Sequence, residues 1–240
     1  MNTIKFTHPE KPLMVAHRGV SGLETENTNA AFVAAGNRSY YGIETDVHRT
    51  LDGKYVTIHD DNTARVAIDK LVVEESTYDT LRGLLLKQKD GAKGRTDIRI
   101  PSLAEYISIC KYYEKVCILE LKNHFEKEDI DNICQIINDL GYLQGVVFIS
   151  FDFDNLVQIK AKYPDHPVQF LTDKCDKALI QELTKYKMDL DIHFSGVNAE
   201  MVKACHEAGI QINCWTVDTL EEAERVTACG VDFITSNILE

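Results

Sequence analysis

The sequence predicts an α/β fold, a TIM-like (β/α) barrel with a β-hairpin after its second strand and a small insertion near residues 61–99. Two observations carry this prediction. Short apolar segments alternate with helical patterns along the 240 residues, and several are apolar nearly throughout, as is typical of parallel strands covered on both faces. About eight such strand–helix units favour a closed barrel over an open sheet. We therefore expect residues 1–240 to form a single barrel domain.

Nine segments have the composition and length of strands. They span residues 13–17, 42–47, 55–59, 116–122, 146–151, 167–172, 190–194, 211–217 and 231–236. No Gly-x-Gly-x-x-Gly stretch follows the first of them, which weakens the alternative of an open sheet that binds a dinucleotide.

Four helices between these strands have clear ends. The first begins at Ser102, where Glu105 stands three residues further on and completes a capping box. The other three occupy 129–142, 198–209 and 219–230, and each stops at a glycine, as helices commonly do.

A hairpin interrupts the alternation after the second strand. Residues 48–54 are too few for a crossover between parallel strands, which takes a dozen or more residues. Asp52-Gly53 within them is a hairpin signal. If these two residues form the turn, paired positions sum to 105, and Asp46 faces His59 across the ladder.

The insertion near residues 61–99 is the second interruption. It contains a polar stretch at 90–95, which we expect to be flexible, and a short amphipathic piece around 77–87. An excursion of this length from a barrel is typical of a small lid over the mouth.

The bulk composition excludes some classes of partner. The formal net charge is −12, from 26 basic and 38 acidic residues, which argues against nucleic acid or an anionic membrane surface. The seven cysteines include no Cys-x-x-Cys pair, so we expect reduced thiols in a cytoplasmic protein. Neither a signal peptide nor an apolar stretch long enough to span a membrane is recognisable. The sequence does not decide whether the protein forms a homo-oligomer.

Charged side chains collect where the predicted strands end. Glu44 and Asp46 alternate in the second strand, and Glu120 and Lys122 stand two apart at the end of another, so each pair points to one side. The inward residues at the carboxyl ends of barrel strands converge on one mouth. The residues expected there are His17, Arg18, Glu44, Asp46, His59, Glu120, Lys122 and Trp215.

This combination favours phosphate chemistry. Three adjacent carboxylates repel one another unless they are neutralised, and an all-oxygen ligand set suits Mg²⁺ or Ca²⁺ rather than Zn²⁺. A metal together with Arg18 and Lys122 would form a positive pocket for a phosphate group. His17 and His59 beside it could serve as general acid and general base, in either order. The roles of His48 and His193 are left open.

The ordered motifs resemble the glycerophosphodiester phosphodiesterase family over almost the whole chain. Each motif alone is weak, but the set in this order is specific. The motifs are His-Arg-Gly at 17–19, Glu-Asn-Thr at 26–28, Glu-Thr-Asp-Val at 44–47, His-Asp at 59–60, Ile-Pro-Ser-Leu at 100–103, Glu-Leu-Lys at 120–122 and Trp-Thr-Val at 215–217.

The resemblance implies a TIM-like barrel that hydrolyses glycerophosphodiesters to glycerol 3-phosphate and an alcohol. It implies that Glu44, Asp46 and Glu120 bind the divalent metal. It also implies that His17 and His59 are the acid/base pair. The 2-hydroxyl of the substrate would be the nucleophile, giving a cyclic phosphate that water then opens.

The remaining roles implied by the resemblance concern the substrate. Arg18 and Lys122 would hold the phosphate, and Trp215 would line the glycerol pocket. Thr25 departs from the family, which more often has proline there, at little expected cost. The compact segment between His59 and Ile100 leaves the head group open, because head-group contacts in the family often come from this region.

Other function classes fit the sequence less well. A phosphatidylinositol-phospholipase-like or phospholipase-D-like lyase on a related barrel would also use two histidines, but the sequence has no basic amphipathic helix for a lipid surface. A non-catalytic barrel predicts that some metal or acid/base position is replaced, and none is. A sugar-processing carboxylate pair would not explain two histidines beside three carboxylates.

Overall fold

The structure is a computed structural model that describes residues 2–92 and 95–240. Within these residues nine strands form one sheet, and each overlaps a segment predicted as a strand. They are β1 (Leu13–Ala16), β2 (Gly42–Arg49), β3 (Tyr55–Thr57), β4 (Val116–Leu121), β5 (Val146–Ser150), β6 (Val168–Thr172), β7 (Asp189–His193), β8 (Ile212–Trp215) and β9 (Phe233–Ser236).

The sheet closes on itself. Eight strands pair in parallel in the order β1, β2, β4, β5, β6, β7, β8, β9, and β1 pairs with both β2 and β9. The remaining strand, β3, pairs antiparallel with β2 and stands outside the barrel. The predicted TIM-like barrel with a hairpin after its second strand is therefore confirmed.

Among the described residues, eight α-helices connect the strands. They are α1 (Asn29–Gly36), α2 (Tyr78–Gly83), α3 (Leu103–Tyr112), α4 (Lys127–Asp139), α5 (Phe153–Lys162), α6 (Lys177–Tyr186), α7 (Ala199–Glu207) and α8 (Leu220–Cys229). The capping box at the start of α3 is formed, with bonds in both directions between Ser102 and Glu105. Gly230 ends α8 in the left-handed region, at φ +93°, where glycine is favoured.

The hairpin loop has three residues, so the predicted two-residue turn is wrong. Thr50 N–H donates to the Lys54 carbonyl at 2.8 Å, which leaves 51–53 as the loop. Gly53 takes a φ of +71°. A three-residue loop whose last residue is left-handed fits the twist of paired strands as well as a two-residue turn does.

The longer loop shifts the register by one position. Val47 pairs with Thr57, so paired positions sum to 104 rather than 105, and Asp46 does not face His59 across the ladder. The ladder ends at Thr57, and Ile58 N–H still donates to the Asp46 carbonyl at 3.1 Å. His59 enters the mouth of the barrel only because the chain leaves the strand before it.

The predicted insertion is an excursion with its own small apolar cluster. Isolated bridges join Asn62 to Val72 and Ala67 to Leu86, and α2 lies within the insertion. The cluster comprises Val56, Ile58, Ala67, Val73, Leu81, Leu86, Ile98 and Ile100, so the insertion packs on the hairpin. Lys93 and Gly94, in the stretch expected to be flexible, lie outside the described residues; a lid motion stays a prediction.

Two further expectations concern the whole chain. None of the helices within residues 2–92 and 95–240 is both long enough and apolar enough to cross a membrane. All seven cysteines are free thiols, and most of them are buried.

Candidate active site

The cleft at the carboxyl end of the barrel collects the predicted site residues. Seven of the eight line it, namely His17, Arg18, Glu44, His59, Glu120, Lys122 and Trp215. The eighth, Asp46, is buried beside them on β2, with its Oδ2 3.5 Å from Arg18 Nε and its Oδ1 3.6 Å from Lys122 Nζ. The fold brings the whole predicted set together, as expected for residues at or after strand ends.

Three buried carboxylates form the acidic part of the cleft. Glu44, Asp46 and Glu120 each offer an oxygen atom, and these atoms lie within 4.8 Å of one another. Burial, followed by the negative charge of Asp46, raises the pKa of Glu44 well above its usual range and that of Glu120 to about 7. The carboxylates are therefore crowded enough to resist full ionisation.

Asp46 behaves differently from its two neighbours. Burial acts to raise the pKa of Asp46, but the charges of Arg18 and Lys122 outweigh it and hold the pKa below its usual range. Asp46 Oδ1 is buried and accepts no hydrogen bond from the described part of the chain. An ionised carboxylate with an oxygen that accepts no hydrogen bond from the described residues, beside two more carboxyl groups, fits a hard divalent cation such as Mg²⁺ or Ca²⁺.

Asn27 fixes the other oxygen of Asp46. Its Nδ2 donates to Asp46 Oδ2 at 2.7 Å, and its Oδ1 accepts from Thr45 Oγ1 at 2.6 Å. Asn27 has a φ of +52°, a conformation that asparagine tolerates better than most residues. Sequence reasoning gave Asn27 no site role, although it stands in the Glu-Asn-Thr motif at 26–28.

His17 follows β1 and turns one ring nitrogen to each side. Its Nδ1 is 2.8 Å from Asn237 Oδ1, and its Nε2 is 3.9 Å from Glu44 Oε2. Burial, followed by the charge of Arg18, lowers the pKa of His17 to about 4. The ring is therefore neutral at pH 7, with Nε2 on the side of the carboxylates.

His59 is supported by a carboxylate. Its Nδ1 is 2.6 Å from Asp60 Oδ1, and Arg65 Nε donates to Asp60 Oδ2 at 2.8 Å. The hydrogen bonds from Arg65 lower the pKa of Asp60 to about 2. Arg65 also binds Glu26, which binds Arg18 in turn. An ion-pair chain thus runs from the insertion to residues on both sides of the cleft.

A second acidic group is explained without a metal. His124, Asp152 and Asp154 lie close together at the surface. Asp152 caps α5 by accepting from Asp154 N–H at 2.9 Å, and its other oxygen is 2.8 Å from His124 Nδ1. A helix cap with one ion pair accounts for this group.

Comparison with known proteins decides the family. The model of the glycerophosphoryl diester phosphodiesterase family matches residues 17–239. The chain belongs to this family. It is therefore an enzyme of the phosphodiesterase class, and the resemblance drawn from the ordered motifs is confirmed.

Relatives of this phosphodiesterase match it along nearly their whole length. A glycerophosphodiester phosphodiesterase of Caldanaerobacter subterraneus subsp. tengcongensis is 28% identical over 228 residues, covering 93% of each chain. A phosphodiesterase of Oleispira antarctica, solved with the product sn-glycerol-3-phosphate, has a TM-score of 0.84 at 26% identity, covering 95% of this chain and 94% of its own. A glycerophosphodiester phosphodiesterase of Parabacteroides distasonis has a TM-score of 0.78 at 27% identity, covering 95% and 94%.

The phosphodiesterase cleft also has an apolar wall. Ile149, Phe151, Leu171 and Trp215 line one side of it. Asp191, on β7, lines the cleft as well, is 2% exposed, and was not singled out from the sequence. The cleft therefore pairs a charged side with a side suited to carbon atoms.

The two histidines left open by the sequence do not line this cleft. His48 is fully buried, and its Nε2 is 3.2 Å from the His59 carbonyl oxygen. His193 packs edge-on against Trp215, with ring centroids 5.1 Å apart. Each therefore touches a predicted site residue from outside the cleft.

Proposed function

We propose that the protein hydrolyses glycerophosphodiesters to glycerol 3-phosphate and an alcohol, using a divalent metal and two histidines. The observation that carries this proposal is the convergence of three buried carboxylates, two histidines and two cations in one cleft. The family match over residues 17–239 supports one catalytic domain for the whole chain. A cytoplasmic location and the oligomeric state stay predictions.

Glu44, Asp46 and Glu120 would hold the metal, which we expect to be Mg²⁺ or Ca²⁺. Two observations support this assignment: Asp46 Oδ1 accepts no hydrogen bond from the described residues, and the pKa of Glu120 is raised. When bound, such an ion polarises a phosphoryl oxygen as a Lewis acid. Asn27 would keep Asp46 in place through the hydrogen bond to its second oxygen.

Arg18 and Lys122 would bind and orient the phosphate. Both side chains are only 15–16% exposed and lie against Asp46, so they can add positive charge to the cleft without leaving the wall. Trp215 would contact the glycerol carbons, and its indole N–H is buried and bonds to no group among the described residues. That N–H can donate to a substrate hydroxyl.

His17 and His59 would exchange protons with the substrate. In each ring Nδ1 is bound on the far side, by Asn237 and by Asp60, which leaves Nε2 for the cleft. One histidine removes the proton of the 2-hydroxyl as its oxygen attacks phosphorus. The other protonates the departing alkoxide, and a cyclic phosphate results. Water then opens the cyclic phosphate with the two roles reversed.

Metal dependence is tested by turnover of glycerophosphocholine and glycerophosphoethanolamine. We expect EDTA to abolish hydrolysis and restored Mg²⁺ or Ca²⁺ to recover it. Turnover that survives full chelation would exclude a role for the metal. Rapid-quench sampling tests the cyclic phosphate, and product that ends there would indicate the lyase reaction of the alternative phospholipase-like enzymes.

The acid/base roles are tested by His17→Ala and His59→Ala. Each should lower kcat by on the order of 10²-fold or more, since a positioned acid or base contributes about that much. His206→Ala is the matched control, because His206 lies exposed on α7, outside the barrel. A near-normal kcat in either variant would remove that histidine from the mechanism.

A further inference from the structure

Asn237 stands directly behind His17. It follows β9, which pairs with β1, and His17 N–H donates to the Ser236 carbonyl at 2.9 Å. This pairing places the Asn237 side chain beside the imidazole, with its Oδ1 2.8 Å from His17 Nδ1. No motif in the sequence pointed to position 237, because the contact spans 220 positions along the chain.

Asp218 determines which way the Asn237 amide points. Asp218 Oδ2 accepts from Asn237 Nδ2 at 2.6 Å, and Oδ1 accepts from the Asn237 backbone N–H at 2.8 Å. An ionised carboxylate can only accept, so the NH₂ group of Asn237 must face it. Asn237 Oδ1 is thereby turned towards His17, and Ser21 Oγ donates to the same oxygen at 2.5 Å.

The direction of the amide fixes the tautomer of the imidazole. A carbonyl oxygen cannot donate, so His17 Nδ1 must carry the proton in the bond to Asn237. In the neutral ring, Nε2 then holds the lone pair and lies towards the carboxylates of the cleft. The far nitrogen of His59, by contrast, is bound directly by a carboxylate, Asp60.

We propose that Asn237, oriented by Asp218, is a positioning residue that holds His17 as the Nδ1–H tautomer with its Nε2 lone pair towards the substrate. The inference rests on the proposed acid/base role of His17. Among the described residues, Asn237 makes no hydrogen bond to Arg18, Lys122 or the three carboxyl groups of the cleft. Its effect should therefore fall on kcat and leave KM nearly unchanged.

Three variants test the hydrogen bonds from Asp218 through Asn237 to His17 by exchanging donor and acceptor groups. Asn237→Asp sets a carboxylate against Asp218, and Asp218→Asn sets two NH₂ groups against each other. Each should lower kcat about 10- to 100-fold, the loss typical when the partner behind a metal-bound histidine is removed, which we expect to hold for an acid/base histidine too. In the double variant N237D/D218N, the amide NH₂ at position 218 can again donate to the carboxylate at position 237. The second oxygen of that carboxylate still accepts from His17. It should recover at least about tenfold of that loss.

The controls separate positioning from folding. Asn138→Asp and Asp165→Asn make the same changes of charge at exposed positions, and neither should move kcat. Melting temperatures show whether each variant folds. Failure of the double variant to exceed both single variants, with all of them folded, would overturn the inference.

A second measurement needs no activity. The ¹⁵N shifts of His17 in the wild-type protein, assigned by comparison with His17→Gln, should show a protonated Nδ1 and an unprotonated Nε2 at pH 7. An Nε2–H tautomer would overturn the inference whatever the kinetics show. Wild-type protein without hydrolytic activity would refute the proposed function and leave this tautomer result standing on its own.

Discussion

At the scale of single residues, three carboxyl groups form one buried cluster in the cleft. Glu44, Asp46 and Glu120 are 3%, 1% and 7% exposed, so water screens their mutual repulsion poorly. Two cations, Arg18 and Lys122, lie beside them, and their charges lower the pKa of Asp46. The protein therefore stores an electrostatic cost that a divalent cation would relieve.

Glu120→Gln should stabilise the metal-free protein at high pH only. The folded protein keeps a proton on Glu120 up to a pKa of about 7, whereas an ordinary glutamate releases it near 4.5. Wild-type protein therefore loses stability as the pH rises from about 4.5 through 7, and the variant does not. In EDTA at pH 8 the variant should gain on the order of 2 kcal/mol in the free energy of unfolding, and almost nothing at pH 4.5.

Urea denaturation at both pH values measures this difference, with Glu128→Gln on the exposed face of α4 as the control. Saturating Mg²⁺ or Ca²⁺ should raise the melting temperature of the wild type and leave E120Q nearly unchanged. A gain of the same size at both pH values, or full metal stabilisation of E120Q, would contradict the role assigned to Glu120.

At the scale of elements, the insertion reaches the site through the side chain of Arg65. Arg65 donates to Glu26 Oε1 at 2.9 Å and to Asp60 at 2.8 and 3.0 Å. Glu26 holds Arg18, and Asp60 holds His59. The insertion thereby positions two residues at once: Arg18, proposed to bind the phosphate, and His59, proposed for acid/base chemistry.

Arg65→Met should lower kcat/KM by about tenfold or more, since both carboxylates would lose their shared partner. The free energy of unfolding should change by less than about 1 kcal/mol, because Arg65 is 44% exposed. Arg65→Lys should recover only part of the activity, because a single ammonium cannot bridge two carboxylates as the guanidinium fork does.

Arg95→Met is the matched control for Arg65→Met. Arg95 stands in the same insertion and pairs with Glu24 and Asp97. Unlike Arg65, it does not link proposed site residues through these pairs. Its loss should leave kcat/KM within about twofold, as expected for an exposed pair. Equal losses in the two variants would mean that the insertion acts through its stability and not through Arg65.

The elements show how far the sequence could predict the fold and the site. Strand positions follow from runs of apolar residues, and the clearest helix ends from caps such as Ser102. The register of the hairpin could not follow, because Asp52-Gly53 suits two-residue and three-residue loops alike. A ladder pairing with Asp46 predicts His59 in the cleft, but this pairing is absent. His59 reaches the cleft because the chain leaves the strand after Thr57.

Residues that orient the site were harder to predict than residues that line it. His17 and Glu120 stand at strand ends, where barrel geometry alone makes side chains converge. Asn237 and Arg65 act across 220 and 39 positions of chain through loops, and no periodic pattern reports such contacts. A single sequence therefore predicts the lining of the cleft and misses much of its support.

At the scale of the whole molecule, the two ends of the barrel have different tasks. The proposed chemistry lies at the carboxyl ends of the strands, whereas Glu240 bonds to segments that lead into the amino ends of β1 and β2. Glu240 accepts hydrogen bonds from the N–H and Oγ of Ser39 at 2.6 and 2.7 Å, and it forms an ion pair with Lys5 at 2.7 Å. Ser39 lies just before the start of β2. Its side chain thus ties together segments that precede β1 and β2.

Glu240→Ala should destabilise the protein without changing its kinetics. Burial opposes ionisation of Glu240, but the bonds from Lys5 and Thr3 outweigh it and lower its pKa to about 2. The stabilisation should therefore be complete above pH 4.5 and fade as the pH falls towards 2. At pH 7 the free energy of unfolding should fall by about 2 kcal/mol, as for lost bonds to a buried charge.

Urea denaturation at pH 7 and pH 3 checks the stability, and kcat on glycerophosphocholine checks the chemistry. Glu207→Ala is the control, because Glu207 is exposed and its nitrogen–oxygen distance to Lys203 is 3.8 Å, so its loss should cost under about 0.5 kcal/mol. The side chain of Glu240 bonds to Thr3, Lys5 and Ser39, none of which lines the cleft. A kcat lowered by E240A in the folded protein would therefore mean that the two ends of the barrel are coupled. An unchanged kcat with reduced stability would mean that Glu240 stabilises the amino ends of the strands without acting on the proposed chemistry at their carboxyl ends.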